Sequence, residues 1–66
     1  MQIFVNEQPH EMTDGATVAQ LLDALALADK PVAVELNRNV VPKARHREQP
    51  LAAGDRLEIV TLVGGG

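Results

Sequence analysis

The chain has 66 residues, no cysteine, 45% hydrophobic residues and a formal net charge of −3. That length supports one small domain, and the lack of cysteine excludes a disulfide framework, a thiolate metal site and a cysteine nucleophile. The acidic balance and the single aromatic residue, Phe4, argue against a nucleic-acid module, which needs a basic face and often stacking rings.

"MQIFVN" reads as a first strand. Met1, Ile3 and Val5 alternate with Gln2, Phe4 and Asn6, the period of two that puts one set on each face of a sheet. No charged leader with an apolar core and cleavage site opens the chain, and no apolar run is long enough to span a bilayer. The expectation is a cytoplasmic protein with no membrane role. "NEQPH" carries turn residues, and Pro9 weakens any central strand there. "HEMT" suits a short returning edge strand.

"TDGATVAQLLDALALADK" is the clearest element. Asp14-Gly15 breaks the preceding segment. Thr17 followed by Gln20 is a capping-box pattern. Val18, Leu21, Leu22 and Leu25 recur at the spacing of one helical face. Lys30 would suit the negative end of the helix dipole, and Pro31 ends the run. "VAVELN" is the next strand, with Val32, Val34 and Leu36 on one face. "NRN" is a turn, since asparagine tolerates left-handed geometry. "VV" before Pro42 is a short strand, "KARHREQP" a loop or one ragged turn, and Gly54-Asp55 a turn after a buried Leu51. "RLEIVTLV" is the last strand.

One amphipathic helix needs a sheet to cover. The order therefore implies an α+β roll of the β-grasp (ubiquitin-like) kind, a mixed four- to five-stranded sheet packed on one helix. Residues 1–63 form the domain and 64–66 a flexible tail.

Chemistry inside this domain is hard to find. The chain has no serine, and Thr13, Thr17 and Thr61 have cap, turn or strand roles. His10 and His46 lack partners at a ligand spacing, so no metal site and no catalytic residue are expected. Lys43, Arg45, His46 and Arg47 form a basic cluster that reads as a solvated loop, with a docking contact for an acidic partner as the sharper alternative. The charge is uneven: residues 1–37 hold six acids and one base (−5), and residues 38–66 hold five bases and three acids (+2).

Two features stand out. Alternation turns Ile3, Val5, Leu57 and Ile59 inward, so Phe4, Val60 and Leu62 point out. With the first and last strands adjacent, these three make one apolar patch on the open face, and such a patch often marks a partner site. The second feature is the ending "TLVGGG". Three terminal glycines arise by chance in about one chain in three thousand, so chance is a poor account of Gly64, Gly65 and Gly66. A tail without Cβ atoms can enter a narrow channel, and it presents one distinct group, the α-carboxylate of Gly66, which is ionised at neutral pH.

The whole chain resembles the ThiS family, the small ubiquitin-like sulfur carrier proteins of thiamine (thiazole) biosynthesis. The residues that carry the resemblance are the "MQI" opening, "TVAQLL", "VAVELNRNVVP", "GDRLEIV" and the terminal "GG". The resemblance implies a carrier that is acted on by enzymes and is not one itself. It also implies that an adenylating enzyme activates Gly66 with MgATP, and that sulfur from a cysteine desulfurase route converts it to a thiocarboxylate. Thiazole synthase would then take that sulfur. Gly65 would be the obligatory small neighbour and Gly64 a source of flexibility. The carrier would bind no cofactor and be a monomer when free. The small subunit of molybdopterin synthase shares fold, tail and chemistry, but Val60-Thr61-Leu62-Val63 lacks the proline pair expected there. A ubiquitin-like protein modifier and a binding module with an inert tail are the remaining alternatives.

Overall fold

The computed structural model describes residues 1–62. A five-stranded mixed sheet in the order β2-β1-β5-β3-β4 is covered on one face by a single α-helix. The strands are β1 (Gln2–Val5), β2 (Gln8–Glu11), β3 (Val32–Leu36), β4 (Asn39–Val41) and β5 (Arg56–Thr61), and the helix is α1 (Val18–Ala24). β1 and β5 run parallel at the centre, and the other pairings are antiparallel. This is the β-grasp arrangement, with all five strands present.

Two hairpins frame the sheet, each closed by a two-residue loop with both residues at positive φ. Asn6 (50°) and Glu7 (69°) join β1 to β2, and Asn37 (49°) and Arg38 (71°) join β3 to β4. Such loops match the right-handed twist of the flanking strands, and asparagine lowers the cost of entering them. The first loop is shorter than "NEQPH" suggests, so β2 starts at Gln8 and contains Pro9. The phase of the ladder explains why that proline is tolerated. The Phe4 N–H donates to Asp55 O on the β5 side, so Pro9, opposite Phe4, turns its nitrogen to the free edge, where no ladder donor is needed.

The core is formed by Ile3, Val5, Val18, Leu21, Leu22, Val34, Val41, Leu51, Leu57 and Ile59. The helix starts as its sequence indicates. The Thr17 hydroxyl accepts from Gln20 N, and the Gln20 side chain accepts from Thr17 N. It ends earlier than Pro31 suggests. Ala26 takes φ 60°, its N–H donates to Asp23 O at 3.0 Å, and Leu27 N–H donates to Leu22 O at 2.7 Å. These two bonds are those of a Schellman cap with alanine at the left-handed position. Lys30 therefore lies beyond the helix and does not meet its dipole. An L-residue in that region is held at a cost of roughly 1–2 kcal/mol, of which glycine recovers part and loses some to unfolded-state entropy. Ala26→Gly is therefore expected to stabilise the fold by about 0.5–1 kcal/mol, read as a higher denaturant midpoint at constant m. A lower midpoint would mean that Ala26 is not at a left-handed cap.

Residues 43–50 are more structured than a solvated loop. Lys43–Arg45 form a turn of 3-10 helix, and His46 is buried, its Nε2 3.0 Å from Val41 O. His46 O accepts from Ala19 N and Gln49 O from Val18 N. With Thr17 Oγ1 on Gln20 N, the first three N–H groups of α1 all have partners. A helix start packed against protein requires this, because these donors have none within the helix. His46 thus leaves the basic cluster, while Lys43, Arg45 and Arg47 stay exposed.

The Met1 ammonium is also tied in. It donates to Met12 O at 2.6 Å and lies 3.4 Å from Asp14 Oδ1 and 3.5 Å from Glu11 Oε2. Burial disfavours its charge, but the hydrogen bond it donates to Asp14 and the attraction of Glu11 and Asp14 outweigh that, so its pKa is raised above the ordinary α-amino value. A group with a raised folded pKa contributes fully below its unfolded pKa, and the contribution is lost as pH rises through the folded one. The melting temperature of the chain is expected to fall as pH climbs above about 8. Glu11→Gln with Asp14→Asn should flatten that slope. A slope as steep in the double variant as in the parent would contradict the assignment.

Candidate functional site

The open face of the sheet, opposite α1, is the candidate surface. Register fixes what it shows. Phe4 pairs with Arg56 across β1 and β5, Glu35 with Glu58 and Ala33 with Val60 across β3 and β5, and Glu35 with Val40 across β3 and β4. Paired residues share a face, and the buried partners Val34, Val41, Leu57 and Ile59 occupy the other one.

The expected single apolar patch of Phe4, Val60 and Leu62 does not form. All three belong to the open face, but Phe4 stands level with Arg56. Val60 lies four residues further along β5, roughly 13 Å away at about 3.3 Å per residue. Glu58 comes between them. Phe4 is half-buried, and the Arg56 guanidinium lies over its ring, 4.6 Å from the centroid, a cation–π contact. Alternation finds the face correctly, but it cannot give the offset between two strands, which depends on the turns that position them.

The face is banded instead. Phe4 and Arg56 form the first band. Glu58 and Glu35 form the second, with Val40 at its far end. Ala33 and Val60 form the third, and Leu62 follows. Val40, Val60 and Leu62 are 72%, 58% and 51% exposed, the large hydrophobic residues most open to solvent among the described residues. Val40 was not apparent from sequence, since a two-residue "VV" strand does not declare which residue faces out.

The end of β5 is held by Asn6. Its N–H donates to Leu57 O at 2.9 Å, its Nδ2 to Ile59 O at 3.1 Å, and its Oδ1 accepts from Ile59 N at 2.9 Å. The amide side chain thus stands in for one more residue of β1 beside β5. Leu62 N donates to Pro31 O at 2.8 Å on the other flank, which keeps the chain in line with the sheet up to Leu62. The glycines expected to carry the chemistry, Gly64, Gly65 and Gly66, lie outside the described residues. Among the described residues no group of three or more His, Asp or Glu side chains is arranged to hold a metal ion, and no helix is long and apolar enough to cross a membrane.

A profile of the ThiS family matches residues 2–66. The chain belongs to the ThiS family. Among the relatives of this ThiS-family chain, the sulfur carrier protein ThiS of Bacillus subtilis is 42% identical over 53 residues, covering 80% of each chain. A thiazole synthase of Paramagnetospirillum magneticum is 36% identical over all 66 residues. The ThiS-family chain spans only 20% of that enzyme's length. The crystal structure of the thiamine biosynthesis protein ThiS from Geobacter metallireducens superposes with a TM-score of 0.84 at 32% identity, covering both chains completely.

Proposed function

We propose that this chain is a sulfur carrier of thiamine biosynthesis that works through the carboxylate of Gly66. The family match carries the reading, because it continues through the terminal glycines to residue 66. The rest follows from chemistry. An ionised carboxylate is a weak nucleophile, but held in line with the α-phosphorus of MgATP in an adenylating enzyme it can displace pyrophosphate. The product is an acyl adenylate. A persulfide sulfur from a cysteine desulfurase route attacks the carbonyl carbon and AMP leaves. Reductive cleavage of the resulting acyl disulfide by a thiol frees the thiocarboxylate, whose sulfur thiazole synthase then takes. The domain catalyses none of these steps. It presents the tail, binds no cofactor of its own, and offers a surface by which partners recognise it.

That surface is the band of Ala33, Val60 and Leu62 beside the exit of the last strand. Ordering a glycine tail costs a partner conformational entropy, and apolar contact next to the exit offsets that cost. Leu62→Asp is expected to weaken binding to the adenylating enzyme about tenfold or more, measured by titration calorimetry, with a thermal melt close to the parent's because Leu62 is half exposed. Unchanged affinity would remove the band from the interface. The sulfur-carrier reading is tested by intact mass of the chain incubated with adenylating enzyme, ATP and a cysteine desulfurase. A species with one oxygen replaced by sulfur is expected, and its persistent absence with every component active refutes the reading.

A further inference from the structure

We propose that Glu35 and Glu58 together seat an arginine or lysine of the thiazole synthase that docks on the open face. This deepens the sulfur-carrier reading and rests on it. Glu35 and Glu58 are direct partners across β3 and β5. The flanking bonds Asn37 N to Arg56 O and Leu62 N to Pro31 O set the alternation so that Glu35 and Glu58 are themselves a hydrogen-bonded pair. Their Cβ atoms are then about 5 Å apart, and like charges placed so destabilise a sheet.

Among the described residues no cation is in ion-pair contact with this pair, and the ion pairs are those of the Met1 ammonium. The two arginines nearest the pair are otherwise placed. Arg56 lies over the Phe4 ring. Arg38 sits in the β3–β4 turn, lining the same shallow groove as Glu7, Glu35, Arg56 and Glu58 without coming within ion-pair distance of a carboxylate. In the free protein water solvates both glutamates and the cost is small.

Docking changes that. Val40, Glu35 and Glu58 lie in one row, and Ala33 and Val60 in the next. A partner that covers the exposed Val40 and Val60 must also cover Glu35, on the strand between them, and Glu58, two residues from Val60 on β5. Two desolvated carboxylates side by side, with no cation in ion-pair contact, would cost more than the apolar contact supplies. The partner must therefore bring a positive charge to that spot. Arginine suits it best, since its planar fork can meet two carboxylates and it is less strongly hydrated than lysine. The synthase is the partner we commit to, because a relative of this chain is itself a thiazole synthase that contains the matching segment. That synthase therefore works with such a domain at hand.

The test uses the unmodified full chain and the purified thiazole synthase of the same organism, with affinity measured at low and at high ionic strength. The variant Glu35→Gln/Glu58→Gln is expected to bind about tenfold or more weakly and to show a flatter salt dependence, while melting at or above the parent's temperature because the repulsion is gone. Glu35→Ala alone should produce part of the loss. Parent affinity and parent salt dependence in the double variant overturn the proposal. So does a loss seen only with the adenylating enzyme, and so does a parent chain that does not bind the synthase. Failure of the sulfur-carrier reading shows separately, as the absence of a sulfur-bearing species by mass, which this binding assay does not require.

Discussion

Deletion of Gly66 is expected to abolish ATP–pyrophosphate exchange by the adenylating enzyme and to leave the thermal melt unchanged. The truncated chain still ends in a carboxylate, now on Gly65, so its chemistry is the same and only its position differs. One residue of extended chain spans roughly 3.5 Å. Displacing a reacting group by about 1 Å can cost a hundredfold in rate, so a shift of a whole residue takes the nucleophile out of range of the α-phosphorus. A loss of well over about a hundredfold in exchange rate follows. Among the described residues the last buried core residue in chain order is Ile59, so loss of Gly66 is not expected to lower stability. Exchange at the parent's rate in the truncated chain would show that the terminal carboxyl is not the group activated. A lowered melting temperature would show that Gly66 contributes to the stability of the domain, contrary to the role assigned to it.

Much of the body was readable from residue order because local signals and tertiary needs agree. Thr17 and Gln20 cap the helix in both directions, and the alternation of Ile3, Val5, Leu57 and Ile59 puts all four in the core. Three misreadings have physical causes of the same kind. Ala26 ends the helix in a conformation that glycine usually marks, so nothing in its identity signals the cap. His46 sits among Lys43, Arg45 and Arg47, and its burial depends on Val41 O and on the start of α1, both contributed by other segments. Phe4 and Val60 have the right facing but a register offset set by turn lengths. The register of β3 against β5 creates something else that periodicity alone could not reveal, the glutamate pair at positions 35 and 58. Each of these residues reads, in its own strand, as an ordinary outward polar residue between two apolar ones.

Leu21→Ala is expected to cost about 2–5 kcal/mol, the largest stability effect of any substitution argued for this chain. Leu21 is fully buried, flanked in the core by Val18 and Leu22, and it belongs to the one helix that covers the sheet. Because α1 has only seven residues, its intrinsic helicity is negligible and it persists through packing. Removing the central side chain therefore weakens the helix and the core together. A domain of this size rarely has more than about 3–5 kcal/mol in reserve, so the variant should be substantially unfolded at 25 °C unless an osmolyte is added. Leu25, further along the same sequence periodicity, is only partly buried because the chain leaves the helix at Ala26, and Leu25→Ala should cost markedly less. Val60→Ala, on the open face, should stay within about 0.5 kcal/mol. Chemical denaturation of the three variants reads this order directly. A Leu21 variant no less stable than the Val60 variant would mean that α1 does not seat on the sheet, and with it would go the assignment of the opposite face as the one left free for partners.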